Sequence, residues 1–304
     1  MDKIISPDRL DVIICAICVH PTILGRVYCE RCRPHIMSRH MDKLKRRSAL
    51  IDAYVKIRDL FICKYSRRPL ELEDRSSHKW IEFDHIVPIK TSAFQAIWAV
   101  FNQMKGDLAD SEFRTLIIML RDHWLGATFN KHAVAFKYWN RTKALRATGP
   151  IEDLPRGEKP TEFCVICGDK SHPRSVYCPR CRQFMRFNQE NMARRKALQA
   201  AWDPIKRRFI CFYTHVELDE DDINNPWYVS FDRAIPGKKG GLVVAALWVT
   251  LMKVDLGRDE FYAVVKELAE CFGTGKVFDE SVCEFKYWNR RADGTRKNWM
   301  FPAI

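Results

Sequence analysis

The sequence predicts an α+β protein made of two tandem repeats, each a four-cysteine zinc module followed by a strand-strand-helix core with additional helices. Three recurrences carry that reading. Cys15-x2-Cys18 with Cys29-x2-Cys32 returns as Cys164-x2-Cys167 with Cys178-x2-Cys181. Phe61-Ile62-Cys63-x-Tyr65 returns as Phe209-Ile210-Cys211-x-Tyr213, and Phe136-Lys137-Tyr138-Trp139-Asn140-Arg141 as Phe285-Lys286-Tyr287-Trp288-Asn289-Arg290. The offsets of 149, 148 and 149 residues are too uniform for scattered coincidence. They set a first repeat at 1–149, a linker at 150–160 carrying Pro150, Pro155, Gly157 and Pro160, and a second repeat at 161–304.

Each repeat opens on the cysteines. Eight of the chain's 12 cysteines lie in Cys-x2-Cys knuckles, two knuckles per repeat and ten residues apart. Four thiolates so spaced can close tetrahedrally around one ion, so each repeat is expected to hold one structural Zn2+, on Cys15, Cys18, Cys29 and Cys32 and on Cys164, Cys167, Cys178 and Cys181. Disulfides are the poorer fit in a long chain without a secretory pattern. Cys63 and Cys211 lack ligand spacing and read as buried packing residues.

After the zinc module comes a basic, helix-favouring segment, 41–58 in one repeat and 189–208 in the other. Lys43, Lys45, Arg46 and Arg47 crowd the first; Arg194, Arg195 and Lys196 crowd the second. A charge run alone is an ordinary solvated face. Its recurrence in a chain of net charge +13 points instead to phosphate contact, with DNA the expected partner and RNA left open. Two strand-like pieces follow, 61–65 and 80–85, then a helical stretch at 92–104; the second repeat has 209–213, 228–232 and 242–252. A further helix begins near Ser111, with Phe113, Leu116, Ile117 and Leu120 forming a core stripe, and near Asp259 in the second copy. The closing Phe-Lys-Tyr-Trp-Asn-Arg segments suit docking onto the core or stacking on bases, with Lys137, Arg141, Lys286 and Arg290 turned to phosphate. No apolar run approaches the roughly 18 residues of a membrane span, and no signal peptide is recognisable. A reducing intracellular compartment, cytoplasm or nucleoid, is therefore expected.

Asp84-His85 at the second strand's end is the candidate reactive pair. A carboxylate is a hard ligand suited to Mg2+ or Mn2+, and an imidazole near neutral pKa can take a proton from water. Asn102, Asn130 and His132 are later polar residues that could complete such a site. Phe83-Asp84-His85-Ile86-x-Pro88 resembles the Asp-His-hydrophobic-x-Pro strand end of the HNH, or ββα-metal, nuclease family. The resemblance implies His85 as general base, Asp84 with a late residue (His132, or Asn102 in its place) on one catalytic divalent metal, and an asparagine such as Asn130 orienting the base. It also implies hydrolysis to a 5'-phosphate and a 3'-hydroxyl.

The second copy carries Phe231-Asp232-Arg233-Ala234-Ile235-Pro236 at this place. An arginine cannot serve as a base at neutral pH, so the second copy is expected to be catalytically dead, with Arg233 free to meet phosphate. The resulting expectation is a monomeric pseudo-dimer: an HNH-type DNA endonuclease with one active site, nicking or cutting site-specifically as homing, restriction-like or branched-DNA enzymes do. Two further readings stay open: a non-catalytic zinc protein that binds DNA or RNA, and a protein-interaction module.

Overall fold

The computed structural model describes residues 13–23, 25–36, 42–89, 92–139, 154–155, 157–185 and 190–289. Arg141, Arg290 and linker positions 150–153 and 156 lie outside the described residues. The architecture mixes helices with small antiparallel two-stranded sheets. Two compact units divide the chain, Met1–Asn102 and Gln103–Ile304. The division falls inside the helix Ala99–Lys105.

In the first unit the cysteine module runs into α1 (Arg33–Ile36) and α2 (Lys43–Ala53). A small hairpin follows, β1 (Tyr54–Val55) and β2 (Leu60–Phe61), joined by a 3-10 turn at Lys56–Arg58. The main hairpin pairs β3 (Ile81–His85) with β4 (Phe94–Trp98), Ile81 opposite Trp98 and His85 opposite Phe94. The chain then enters α3 (Ala99–Lys105) without a loop. The stretch 92–104, expected to be helical throughout, is thus a strand followed by a helix. All five residues of β4 are buried, so its sequence shows neither the alternation of a half-exposed strand nor a helical stripe, and an unbroken apolar run cannot decide between them.

The second unit begins with α4 (Asp110–Trp124), whose stripe Phe113, Leu116, Ile117 and Leu120 is buried as its 3.6-residue period requires. Glu112 starts this helix by accepting the N–H of Ala109 at 3.0 Å, one half of a capping box. From the second cysteine set onward come α5 (Pro179–Arg182), which carries Cys181, then α6 (Asn191–Ala201), β5 (Trp202–Asp203), β6 (Arg208–Phe209), β7 (Val229–Arg233), β8 (Leu242–Ala246), α7 (Leu247–Lys253) and α8 (Arg258–Thr274). Here too the expected helix at 242–252 is a strand and then a helix. None of the described helices is long and apolar enough to cross a membrane.

Within this unit α4 and α8 pack antiparallel, with Phe113 near Phe272 (6.1 Å between ring centroids) and Trp124 near Tyr262 (4.4 Å). The segment after α4 then seats Phe129 against Trp227 and Trp248, 5.9 and 6.1 Å away, and Phe136 beside the same two rings. Elements encoded before residue 140 therefore build the core around residues encoded after 220. The aromatic end segments dock through their backbones. Lys137 donates its N–H to Glu112 Oε1 at 3.0 Å, and Lys286 does the same to Glu260 Oε1 at 2.7 Å.

Two outcomes are expected. Phe129 is 7% exposed, and Phe129→Ala should lower the stability of the unfolding step that reports on Trp227 and Trp248 by about 3–5 kcal/mol, read by denaturant titration of tryptophan fluorescence. His35, 6% exposed and 5.2 Å from Trp80, has its pKa lowered by burial to about 4 from 6.5. It folds neutral, so its contribution is complete above the unfolded pKa and is lost as pH falls toward 4, on the order of 3 kcal/mol. Comparing His35→Gln with the parent chain across pH 4–7 should show a flatter stability profile in the variant.

Candidate functional site

The two cysteine groups are the clearest ligand sets. The sulfurs of Cys15, Cys18, Cys29 and Cys32 lie within 4.8 Å of one another, as do those of Cys164, Cys167, Cys178 and Cys181, and all are free thiols. Cys18 stands 3.4 Å from both Cys29 and Cys32, and Cys167 stands 3.4 Å from Cys178. A tetrahedral Zn–S bond of about 2.3 Å separates the sulfurs by about 3.8 Å, so each set can close on one ion. Burial and the neighbouring cysteines push the Cys32 thiol far upward.

Each cluster is braced to the small hairpin beside it by a pair of matching design. His20 Nδ1 lies 3.2 Å from Cys18 Sγ, and its Nε2 is 3.1 Å from Asp59. Arg31 donates to the Asp59 carbonyl at 3.1 Å, and the Tyr54 hydroxyl lies 2.8 Å from both Cys18 O and Asp59 Oδ1, which share its one proton. In the second unit Asp169 pairs with Arg207, and Arg180 donates to the Arg207 carbonyl at 3.0 Å. The acid and the base have changed sides while the link persists. Asp59 and Arg207 both hold left-handed backbone, φ +50° and +53°.

The main hairpin is positioned by a turn that follows β2. Cys63, fully buried, accepts the N–H of Trp98 at 3.4 Å, and Cys211 accepts that of Ala246 at 3.3 Å. Two residues on, Tyr65 and Tyr213 turn toward the acids of β3 and β7. Gln95 links Asp84 and Tyr65, with its amide 2.9 Å from Asp84 Oδ2 and 2.8 Å from Tyr65 Oη. In the second unit Val243 stands where Gln95 would, and Tyr213 donates directly to Asp232.

Successive strand residues face opposite ways, so Asp84 and His85 diverge. Asp84, 5% exposed, shares its face with Glu82, whose carboxylate accepts from the Asn102 amide on α3 at 2.7 Å. His85, half-buried, has its ring 4.5 Å from Phe94 on the α2 side, where Lys45 lies over Phe94 (5.4 Å) and Arg46 over Phe83 (4.9 Å). Asn102 is thus the late polar residue joined to this hairpin. Asn130 and His132 belong to the other compact unit, in an exposed turn where Asn130 Oδ1 accepts the His132 N–H at 3.1 Å. Among the described residues, the only groups of three or more His, Cys, Asp or Glu ligands are the two cysteine sets.

The basic residues divide by surroundings. Lys43 and Lys196 are exposed, and Arg47 is half-buried. Arg194, 6% exposed, lies over Phe231 at 4.8 Å, and burial lowers its pKa as it does that of Arg46. Arg195 pairs with Glu158 at 2.7 and 2.9 Å. Arg233 is not turned out to solvent as expected. Its guanidinium forms a two-point ion pair with Glu190, which precedes α6 and is 8% exposed. Arg and Glu satisfy one another there, leaving the guanidinium committed inside the protein.

Sequence reasoning missed Lys253. Its ammonium, 2% exposed, reaches Asp232 Oδ1 at 3.1 Å and the Arg233 carbonyl at 2.8 Å. Burial lowers its pKa and Asp232 opposes that shift. Lys105, also 2% exposed, ends α3 as Lys253 ends α7. A lysine recurring at a 148-residue offset at the end of an apolar helix was the available signal. Comparison with protein-family models, curated proteins and solved structures gives no match.

Each cysteine set should release one equivalent of Zn2+ when its thiols are titrated with a mercurial reagent, two per chain in all, read with a chromogenic chelator. Release of one equivalent or none from freshly purified protein would contradict paired zinc centres.

Proposed function

We propose that the chain is an HNH-type endonuclease that hydrolyses DNA with one working site, the hairpin carrying Asp84 and His85, and a second copy retained as scaffold. The observation that carries this reading is the junction of β3, β4 and α3: an Asp-His strand end, an antiparallel return strand and a helix bearing Asn102. It rests equally on contrast. In the second copy Arg233 replaces the histidine and is held by Glu190, while Lys253 neutralises Asp232.

Two carboxylates and an amide on one face, Glu82, Asp84 and Asn102, suit a hard cation that keeps most of its water, as Mg2+ does. Asp84 would hold it, with Asn102 as the neighbouring amide ligand. When bound, such a cation supplies charge stabilisation to a phosphoryl oxygen. His85, whose ring stands edge-on to Phe94 on the other face of the strand, would take the proton of the attacking water at the strand end, where a phosphate held on the Asp84 face has to reach round β3 to meet it. Gln95 and Tyr65 hold Asp84 in place. Lys43, Arg47 and Lys196, with side chains reaching solvent, supply sequence-independent phosphate contact. One site per chain gives a nick, and the pseudo-dimer makes a second chain unnecessary for binding.

A second reading has an observation of its own. Asp84 is 5% exposed and bonded to Gln95, as befits a structural carboxylate in a zinc-containing protein that binds DNA or RNA without cutting it.

The test is cleavage of supercoiled plasmid and branched DNA with Mg2+ or Mn2+. His85→Ala should slow nicking by roughly 10²–10⁴-fold, Asn102→Ala should shift the metal concentration required, and Arg233→Ala, Asn130→Ala and His132→Ala should leave both unchanged. Tight binding without cleavage in the parent chain would select the second reading.

A further inference from the structure

The tips of the two small hairpins carry isoleucines with almost no protein around them. Ile57, between β1 and β2, is 99% exposed, and Ile205, between β5 and β6, is 93% exposed. Single exposed apolar side chains are common on protein surfaces and need no explanation by themselves. These two differ in three respects. They occupy matching positions, 148 residues apart, in hairpins that share besides them only the phenylalanine Phe61 or Phe209. They sit among cations: Lys56 and Arg58 flank Ile57, while Lys206, Arg207 and Arg208 follow Ile205, all exposed. Among the described residues Lys56 and Arg58 have no ion-pair partner.

The third respect is stiffness. Each tip is tied back to its own cysteine module by an arginine donating to the backbone carbonyl at the hairpin's left-handed residue, Arg31 to Asp59 and Arg180 to Arg207. His20 and Asp169 add a side-chain link to those same residues. At the second tip Asp203 Oδ1 also accepts the N–H groups of Ile205 and Lys206 at 2.9 and 3.0 Å. Of the tip cations that are paired, Lys206 makes a loose surface contact with Glu217 at 3.6 Å that phosphate can displace, whereas Arg207 is held by Asp169 and Arg208 lies 3.9 Å from the buried Glu220.

We infer that Ile57 and Ile205 are wedges that insert between base pairs of duplex DNA, each guided by the cations beside it. An apolar side chain pushed into a base step partly unstacks it, and the neighbouring cations meet the phosphates on either side. A wedge must resist bending back, which the ties to the cysteine modules provide. The inference rests on the DNA-binding part of the proposed function and is independent of whether the chain cuts.

The test uses the full zinc-loaded chain without added Mg2+ or Mn2+, and duplexes rich in TA steps with 2-aminopurine placed at the step, since pyrimidine–purine steps unstack most readily. The parent chain should raise 2-aminopurine fluorescence. The double variant Ile57→Ala/Ile205→Ala should abolish the rise while weakening binding only on the order of tenfold and leaving the salt dependence of binding intact. Ile57→Leu/Ile205→Leu should keep the rise, which separates insertion from a folding defect. An equal rise in the alanine variant, or none in the parent chain despite salt-dependent binding, overturns the wedge while DNA binding stands. Absence of duplex binding by the parent chain overturns both.

Discussion

Four cysteine sulfurs gathered within 4.8 Å, most of them shut away from water, impose a condition that a soft divalent cation satisfies. Much of each compact unit leans on that condition. The elements next to the clusters are too short to stand alone: α1 and α5 have four residues each, and the strands β1, β2, β5 and β6 have two. A single helical turn or a pair of two-residue strands does not recover its ordering entropy from its own hydrogen bonds. Their shape comes from outside, through Arg31, Arg180 and the acid-base links that join each hairpin to a cluster.

From there order passes along the chain in defined steps. The hairpin ends in the turn at Cys63 or Cys211, the thiol takes a backbone N–H from the end of β4 or β8, and the tyrosine two residues later reaches the acid of the facing strand or the glutamine that holds it. The candidate reactive residues therefore lie at the end of a chain of short, buried polar contacts. The two copies differ mainly in what fills the last position. Gln95 links Asp84 to Tyr65, whereas Asp232 is met by Tyr213 and by the ammonium of Lys253.

What the sequence made legible followed from local rules. The stripe of α4 was readable because a helix with one buried face must repeat every three or four residues, and the cysteine sets because metal ligation fixes spacing. The strands β4 and β8 were not readable as strands, since residues buried on both faces erase the period that identifies either state. Asn130 and His132, suggested by motif spacing, lie in an exposed turn of the other compact unit. Asn102, by contrast, is joined to the hairpin by a contact 20 residues back in sequence. That Arg233 stands where His85 does is visible when the two halves of the sequence are aligned, while its capture by Glu190 depends on a residue 43 positions away.

Phe129 and Phe136, encoded ahead of the second cysteine set, are covered by Trp227 and Trp248, which follow it. Deletion of the later half would strip the aromatic seat from under a segment encoded beside α4, so the earlier residues depend on the later ones for their packing. The indole rings are thereby held in place by a partner that lies on the far side of the gene.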